Sequence, residues 1–210
     1  MSKLFRMDSP LMRLLTKIAD LMVLNILFCA TSIPLITIGA SWTALYSVTL
    51  KMVRDEEGSV SRSYFRSFRQ NFRQATLLWL GVLVVLTLLV LDIRVLNGMA
   101  GGTAPGLLRV GVEILALLGI MVLQYLFPSL ARFEASLADT LKNACMMALA
   151  HLPKTALMTA AAVGAVWITL INNTTIAVGL MVWPLIGFSL MAFGNSGILR
   201  KIFDNYVPKA

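Results

Sequence analysis

Residues 75–91, 155–171 and 176–193 contain no charged side chain, and residues 107–128 contain only Arg109 and Glu113. Runs of this kind approach the roughly 20 residues that an α-helix needs to cross a hydrocarbon core of about 30 Å. Short charged segments separate them, so the solvent around most of the chain is expected to be lipid. Composition agrees: 58% of the 210 residues are hydrophobic and 13% are charged, against roughly 45–50% and about 25% in soluble domains. The expected fold class is all-α, a polytopic transmembrane bundle of about five to six hydrophobic helices with two interfacial amphipathic helices. Residues 1–210 form a single integral membrane domain in this reading.

In a soluble protein the net charge of +8 and the pI near 9.9 would raise the question of nucleic acid. Here the basic residues flank the apolar runs, where Lys and Arg hold loops on the cytoplasmic side. No nucleic-acid partner is expected; the partner is the lipid bilayer.

Residues 1–19 read as an amphipathic lead-in to a first apolar run, residues 18–33. That run meets Pro34, Thr37 and Gly39, where proline removes a backbone donor and glycine permits a turn. A second apolar piece, residues 40–53, is only about 21 Å long as a helix. Residues 18–53 therefore read as a hairpin broken at Pro34 and Gly39, either crossing twice or entering and leaving on one side. If the hairpin returns to its starting side, every Lys and Arg except Arg94 and Arg109 falls on one face of the membrane, and a single crossing divides them far more evenly. The positive-inside preference thus favours the hairpin, with both termini cytoplasmic.

The segment 54–74 places Phe65, Phe68 and Phe72 at helical spacing beside Arg62, Arg66, Arg69 and Arg73. An aromatic row next to a cationic one predicts a cytoplasmic interfacial helix. Phe65, Arg66, Phe68, Arg69, Phe72 and Arg73 are its candidate partner-docking residues. Spans are expected over about 75–91, 107–128, 155–171 and 176–193, with a second surface or partly buried helix within 129–154.

Candidate polar sites inside the membrane are few. Arg109 and Glu113, four apart on one helix face, can pair, either as a solute or coupling site facing the interior or as an ion pair that stabilises packing. Asn25 sits in the body of the first run and suits an interhelical hydrogen bond. The break at Pro34, Thr37 and Gly39 can be a hairpin turn or the kind of interrupted helix with which transporters hold solutes. His151 stands alone, and Cys29 and Cys145 lack CxxC spacing, so no metal or other cofactor is expected. No GxSxG, HExxH, Walker A or GxGxxG pattern occurs, and no enzyme activity is expected.

Taken in order, Leu24-Asn25, Ile33-Pro34, Thr37-Ile38-Gly39, Ala44-Leu45-Tyr46, and then Phe65, Phe68, Asn71-Phe72 and Gln74 resemble the YesL family of small bacterial membrane proteins over about residues 5–80. The resemblance implies a bacterial inner-membrane location and a sugar-utilisation context, with no catalytic residues to carry over. Beside it stand two functional expectations: a non-enzymatic accessory to a carbohydrate uptake system, contacting a sugar transporter component, or a small-solute permease or exporter in its own right.

Overall fold

The computed structural model describes residues 10–56, 58–98 and 103–206; Lys3, Arg6 and Lys209 lie outside the described residues. Within them every regular element is helical. Helix α1 is Pro10–Ser32, α2 Ile38–Met52, α3 Val60–Gly98, α4 Thr103–Arg132, α5 Leu137–Ala150, α6 Leu152–Leu170, α7 Asn173–Val182 and α8 Phe188–Phe203. A 3-10 turn, Leu35–Thr37, joins α1 to α2, and a π turn, Trp183–Gly187, makes α7 and α8 one continuous helix.

The all-α bundle is as expected. Five helical stretches among the described residues are long and apolar enough to cross a membrane: Leu11–Ser32, Val60–Gly98, Gly106–Arg132, Leu152–Leu170 and Asn173–Phe203. Their outer faces carry bare apolar side chains such as Leu107, Trp167, Leu180 and Met181, each more than 70% exposed. Water tolerates no apolar patch of that extent on a monomer, whereas lipid requires it. The chain is a multi-pass membrane protein.

Helix α2 is the axis of the bundle. Gly39, Ala40, Ser41 and Ala44 keep one end of it thin, and most of its residues are buried, packed by α1, α3, α4 and α8. A helix buried all round must satisfy its polar side chains internally. Thr43 and Thr49 donate back to the carbonyls of Gly39 and Leu45, and the Thr49 hydroxyl meets that of Ser196 on α8 at 2.8 Å.

Helix α3 departs from the sequence reading. The sequence reads as an interfacial helix over 54–74 leading into a span over 75–91, and the structure makes them one unbroken helix of 39 residues from Val60 to Gly98, about 58 Å at 1.5 Å per residue. The reason is local: residues 60–80 contain neither glycine nor proline, and nothing there can stop a helix. Its N-terminal half packs along α2, and its C-terminal half pairs with α4. The tip of the α1–α2 hairpin reaches only its middle, where the Trp79 indole N–H donates to the Leu35 carbonyl at 2.7 Å. The tip itself, Ile33, Leu35 and Ile36, is bare apolar surface.

The opposite end of the hairpin is charged. Lys17 pairs with Asp55 at 2.5 Å, Arg54 pairs with Asp204, and the Arg200 guanidinium donates to the Val53 carbonyl at 2.9 Å. These contacts gather the N-terminal part of α1, the α2–α3 turn and the C-terminal end of α8 at one end of the bundle. Asp55 adopts a left-handed backbone, φ 55°, which a short carboxylate side chain tolerates better than most. The hydrogen bond from Lys17, and next its charge, hold the Asp55 carboxyl below its ordinary value of 3.8. A depressed folded-state value stabilises the fold above the unfolded value and loses that contribution as pH falls through the folded one. The stabilities of the native chain and of Asp55→Asn are thus expected to differ at neutral pH and to converge on acidification below about 3.8, as read by unfolding in detergent at stepped pH.

Candidate functional site

Between α2, α3, α4, α6 and the π turn lies a cavity of about 590 Å³. Three of the four tryptophans, Trp42, Trp79 and Trp183, line it together with Tyr46, Phe127 and Phe188, and no charged residue does. Each wall is held by its own packing. Trp42 stacks on Tyr46 at 5.9 Å between ring centroids and meets Phe28 edge-on at 4.9 Å; Trp183 leans on Phe188 at 5.1 Å. The indole N–H of Trp79 is spent on Leu35 and that of Trp183 on the Thr169 hydroxyl at 3.1 Å. Half-buried indoles whose N–H already has a partner leave a ring with its apolar faces to offer.

The polar side of the cavity is a chain of uncharged groups. The Asn195 amide nitrogen donates to the Tyr46 hydroxyl at 3.4 Å and to the Gln124 carbonyl oxygen at 3.2 Å, and the Gln124 nitrogen donates to the Thr159 hydroxyl at 3.4 Å. These bonds use only the nitrogen of Asn195, and the Tyr46 hydroxyl, accepting here, keeps its proton to donate. Amide and phenol groups at about 3.3 Å are loosely held, and they can re-pair with an entering hydroxyl without leaving a buried group unmatched. Aromatic walls with a few convergent polar groups are the general form of a small-molecule site.

The residues singled out in the sequence lie elsewhere. Asn25 is fully buried, and its side chain is consumed by structure: its nitrogen donates to the carbonyls of Trp183 at 2.9 Å and Pro184 at 2.6 Å, and its oxygen accepts from the Ser189 N–H at 2.9 Å. A π turn moves backbone pairing out of step with the flanking α-helix, and Asn25 supplies the missing partners. It braces the cavity wall from behind. The Pro34–Gly39 break is a closed hairpin turn. The Thr37 hydroxyl meets the Thr31 carbonyl at 2.5 Å, the Thr37 N–H donates to Pro34 at 2.9 Å, and Trp79 takes Leu35. Gly39 marks a close approach, since a Cβ there would stand 2.5 Å from the Ala75 carbonyl oxygen and 2.6 Å from the Trp79 Cβ.

Arg109 and Glu113 pair at 2.9 Å, but each side chain is 55% exposed, and the arginine also reaches Asn97 at the end of α3. The interior-facing arrangement considered from the sequence is therefore not what the fold builds: both lie on the outer surface and neither lines the cavity. Glu113→Gln is accordingly expected to cost under about 1 kcal/mol, read as a thermal midpoint in detergent close to that of the native chain. In the Phe65–Arg73 segment, Phe68 packs on the core while Phe65 and Phe72 remain exposed. Arg66, Arg69 and Arg73 point outward, so the segment is a cationic flank of α3 with two open phenyl rings.

Sequence reasoning passed over Trp42, Tyr46, Trp79, Gln124, Trp183 and Asn195. The available signal was Gln124 within the 107–128 run and Asn195 just beyond the 176–193 run, amides in segments where polar groups are costly.

The architecture is thus that of an all-α, multi-pass membrane protein with an uncharged aromatic cavity. Residues 21–93 match the family model described as "Protein of unknown function, DUF624". The chain is 27% identical over 159 residues to "Uncharacterized protein YesL" of Bacillus subtilis (strain 168), covering 75% of this chain and 74% of that protein. No solved structure matches. Both matches reach into the N-terminal third, whose ordered motifs resemble the same family.

Proposed function

We propose that the protein is a non-enzymatic component of the bacterial plasma membrane, with both termini cytoplasmic, that serves a carbohydrate uptake or utilisation system by holding a neutral, hydroxyl-rich molecule in the aromatic cavity. The observation that carries this reading is the pairing of three indole rings with the Asn195–Gln124–Tyr46 chain in a cavity free of charge. Ring faces suit the C–H faces of a pyranose, and amides and a phenol suit its hydroxyls. A charged solute finds no counter-ion there and would meet the full cost of burying its charge. The sugar-utilisation context implied by the family resemblance supports the same class of ligand. The exposed Phe65 and Phe72 beside the arginine row would provide contact with a transporter component.

The test is a titration of the reconstituted protein with neutral mono- and disaccharides, following the fluorescence of the lining indoles. A saturable change is expected, with affinity falling about tenfold in Asn195→Leu, the loss of one or two hydrogen bonds. The absence of a saturable response to every neutral sugar tried contradicts the proposal. A permease remains the second reading, favoured by the cavity's position among the membrane-crossing helices. Solute flux into vesicles that is lost in Asn195→Leu yet kept in Glu113→Gln would select it.

A further inference from the structure

The α3–α4 pair carries a second feature that the sugar reading does not use. Along their seam runs an apolar groove from Leu77 to Leu89 on α3 and from Leu115 to Leu126 on α4, about 410 Å³ in volume. At 1.5 Å per residue the α3 side is about 18 Å long, close to the roughly 15 Å depth of one leaflet's hydrocarbon. Directly below it, on the same helices, a polar recess opens between Gln70 and Gln74 of α3 and the non-helical linker after Arg132. Polarity thus switches on both helices, between Gln74 and Leu77 on α3 and between Ala131 and Arg132 on α4.

The recess holds one cation and one anion, Arg132 and Glu134. They lie two residues apart, yet among the described residues neither forms an ion pair. Both side chains are exposed, and the two signs placed side by side at the end of an apolar groove complement a head group that carries both. The groove has room at two glycines. Gly81 and Gly119 both line it, and a Cβ at either would meet nothing within 4 Å. Glycine costs about 1 kcal/mol against alanine inside a helix, and no close packing here calls for it.

We propose that this seam holds a single aminophospholipid from the leaflet at the N-terminal end of α3. Its phosphate sits on Arg132, its ammonium sits on Glu134, and one acyl chain lies along the groove over Gly81 and Gly119. Phosphate and guanidinium pair in a fork geometry, and a primary ammonium can donate to a carboxylate where a quaternary one cannot. The site therefore separates an ethanolamine head group from a choline one, and both from a purely anionic one.

Native mass spectrometry of the protein released from nanodiscs of equal phosphatidylethanolamine, phosphatidylcholine and phosphatidylglycerol provides the test. One retained phosphatidylethanolamine per chain is expected, favoured about tenfold over the other two. Arg132→Gln is expected to abolish retention, and Glu134→Gln to erase the discrimination between ethanolamine and choline head groups. Gly119→Phe starts from a Cβ that meets nothing within 4 Å, and it is expected to expel the lipid while the protein keeps its elution volume and thermal midpoint. Equal retention of the three lipids, or retention unchanged in Gly119→Phe, overturns the proposal and leaves only ordinary boundary lipid. Leu86, Ile120 and Leu123 line both the groove and the aromatic cavity, whereas no residue of the recess lines the cavity, so Arg132→Gln and Glu134→Gln are the variants in which the sugar titration is expected to stay unchanged.

Discussion

Asn25→Leu is expected to lose roughly 3 kcal/mol or more of stability. Three backbone groups, the carbonyls of Trp183 and Pro184 and the N–H of Ser189, depend on that amide. Each buried group left without a partner costs about 1–3 kcal/mol, against a total of about 5–15 kcal/mol for a typical fold. Leucine keeps the branched outline of asparagine with bulkier methyl ends, so the loss reports unpaired backbone groups with some crowding and no void. Thermal unfolding in mild detergent, read by loss of the monodisperse peak, provides the measurement. A midpoint equal to that of the native chain would mean that the π turn holds itself without help from α1. Because Trp183 lines the cavity, ligand affinity in the surviving fraction is expected to fall as well.

The second large effect is expected at Gly39. In Gly39→Ala the new methyl group would stand 2.5 Å from a backbone oxygen of α3 and 2.6 Å from the Cβ of Trp79, and backbone cannot rotate out of the way. Helix α2 must retreat from α3, and overpacking of this kind costs about 1–3 kcal/mol. The retreat also breaks the hydrogen bond from Trp79 to Leu35 and shifts one wall of the cavity. The indole emission spectrum is therefore expected to move with the thermal midpoint. Gly81→Ala on the same bundle faces open space and is expected to stabilise the chain or leave it unchanged, which separates the packing argument from any general intolerance of glycine replacement.

Long apolar runs announced the bundle because lipid leaves a backbone only the internally bonded helix or the closed barrel, and unbroken apolar runs of this length suit the helix, so no tertiary knowledge is needed to see it. The hairpin was legible for a similar reason, since Pro34 and Gly39 act locally. The continuity of α3 was hidden by a change of solvent: residues 60–74 are polar and residues 75–91 apolar, and a change in side-chain polarity looks like a boundary although the backbone ignores it. The cavity was illegible because its walls come from Trp42, Trp79, Phe127 and Trp183, which lie far apart in sequence, and a tryptophan inside an apolar run gives no sign of whether it faces lipid or a neighbour. Asn25 was legible as a hydrogen-bonding residue, but its partner was not, because the π turn that it braces is set by the packing of α7 and α8. Arg109 and Glu113 drew attention by being charged within a run, and their position near the end of α4 lets them reach outward to head groups or water.

In the proposed topology the two ends of the chain share one face of the membrane and the α1–α2 hairpin turns inside lipid. The most direct test places single cysteines at Glu56, Asn173, Tyr206 and Ile36 in a chain whose Cys29 and Cys145 are replaced by alanine, and labels intact right-side-out vesicles with a membrane-impermeant maleimide. Labelling at position 173 alone, with positions 56 and 206 reacting only after the vesicles are opened and position 36 protected throughout, is the expected result. Labelling of position 206 in sealed vesicles, or ready labelling of position 36 from either side, would contradict it.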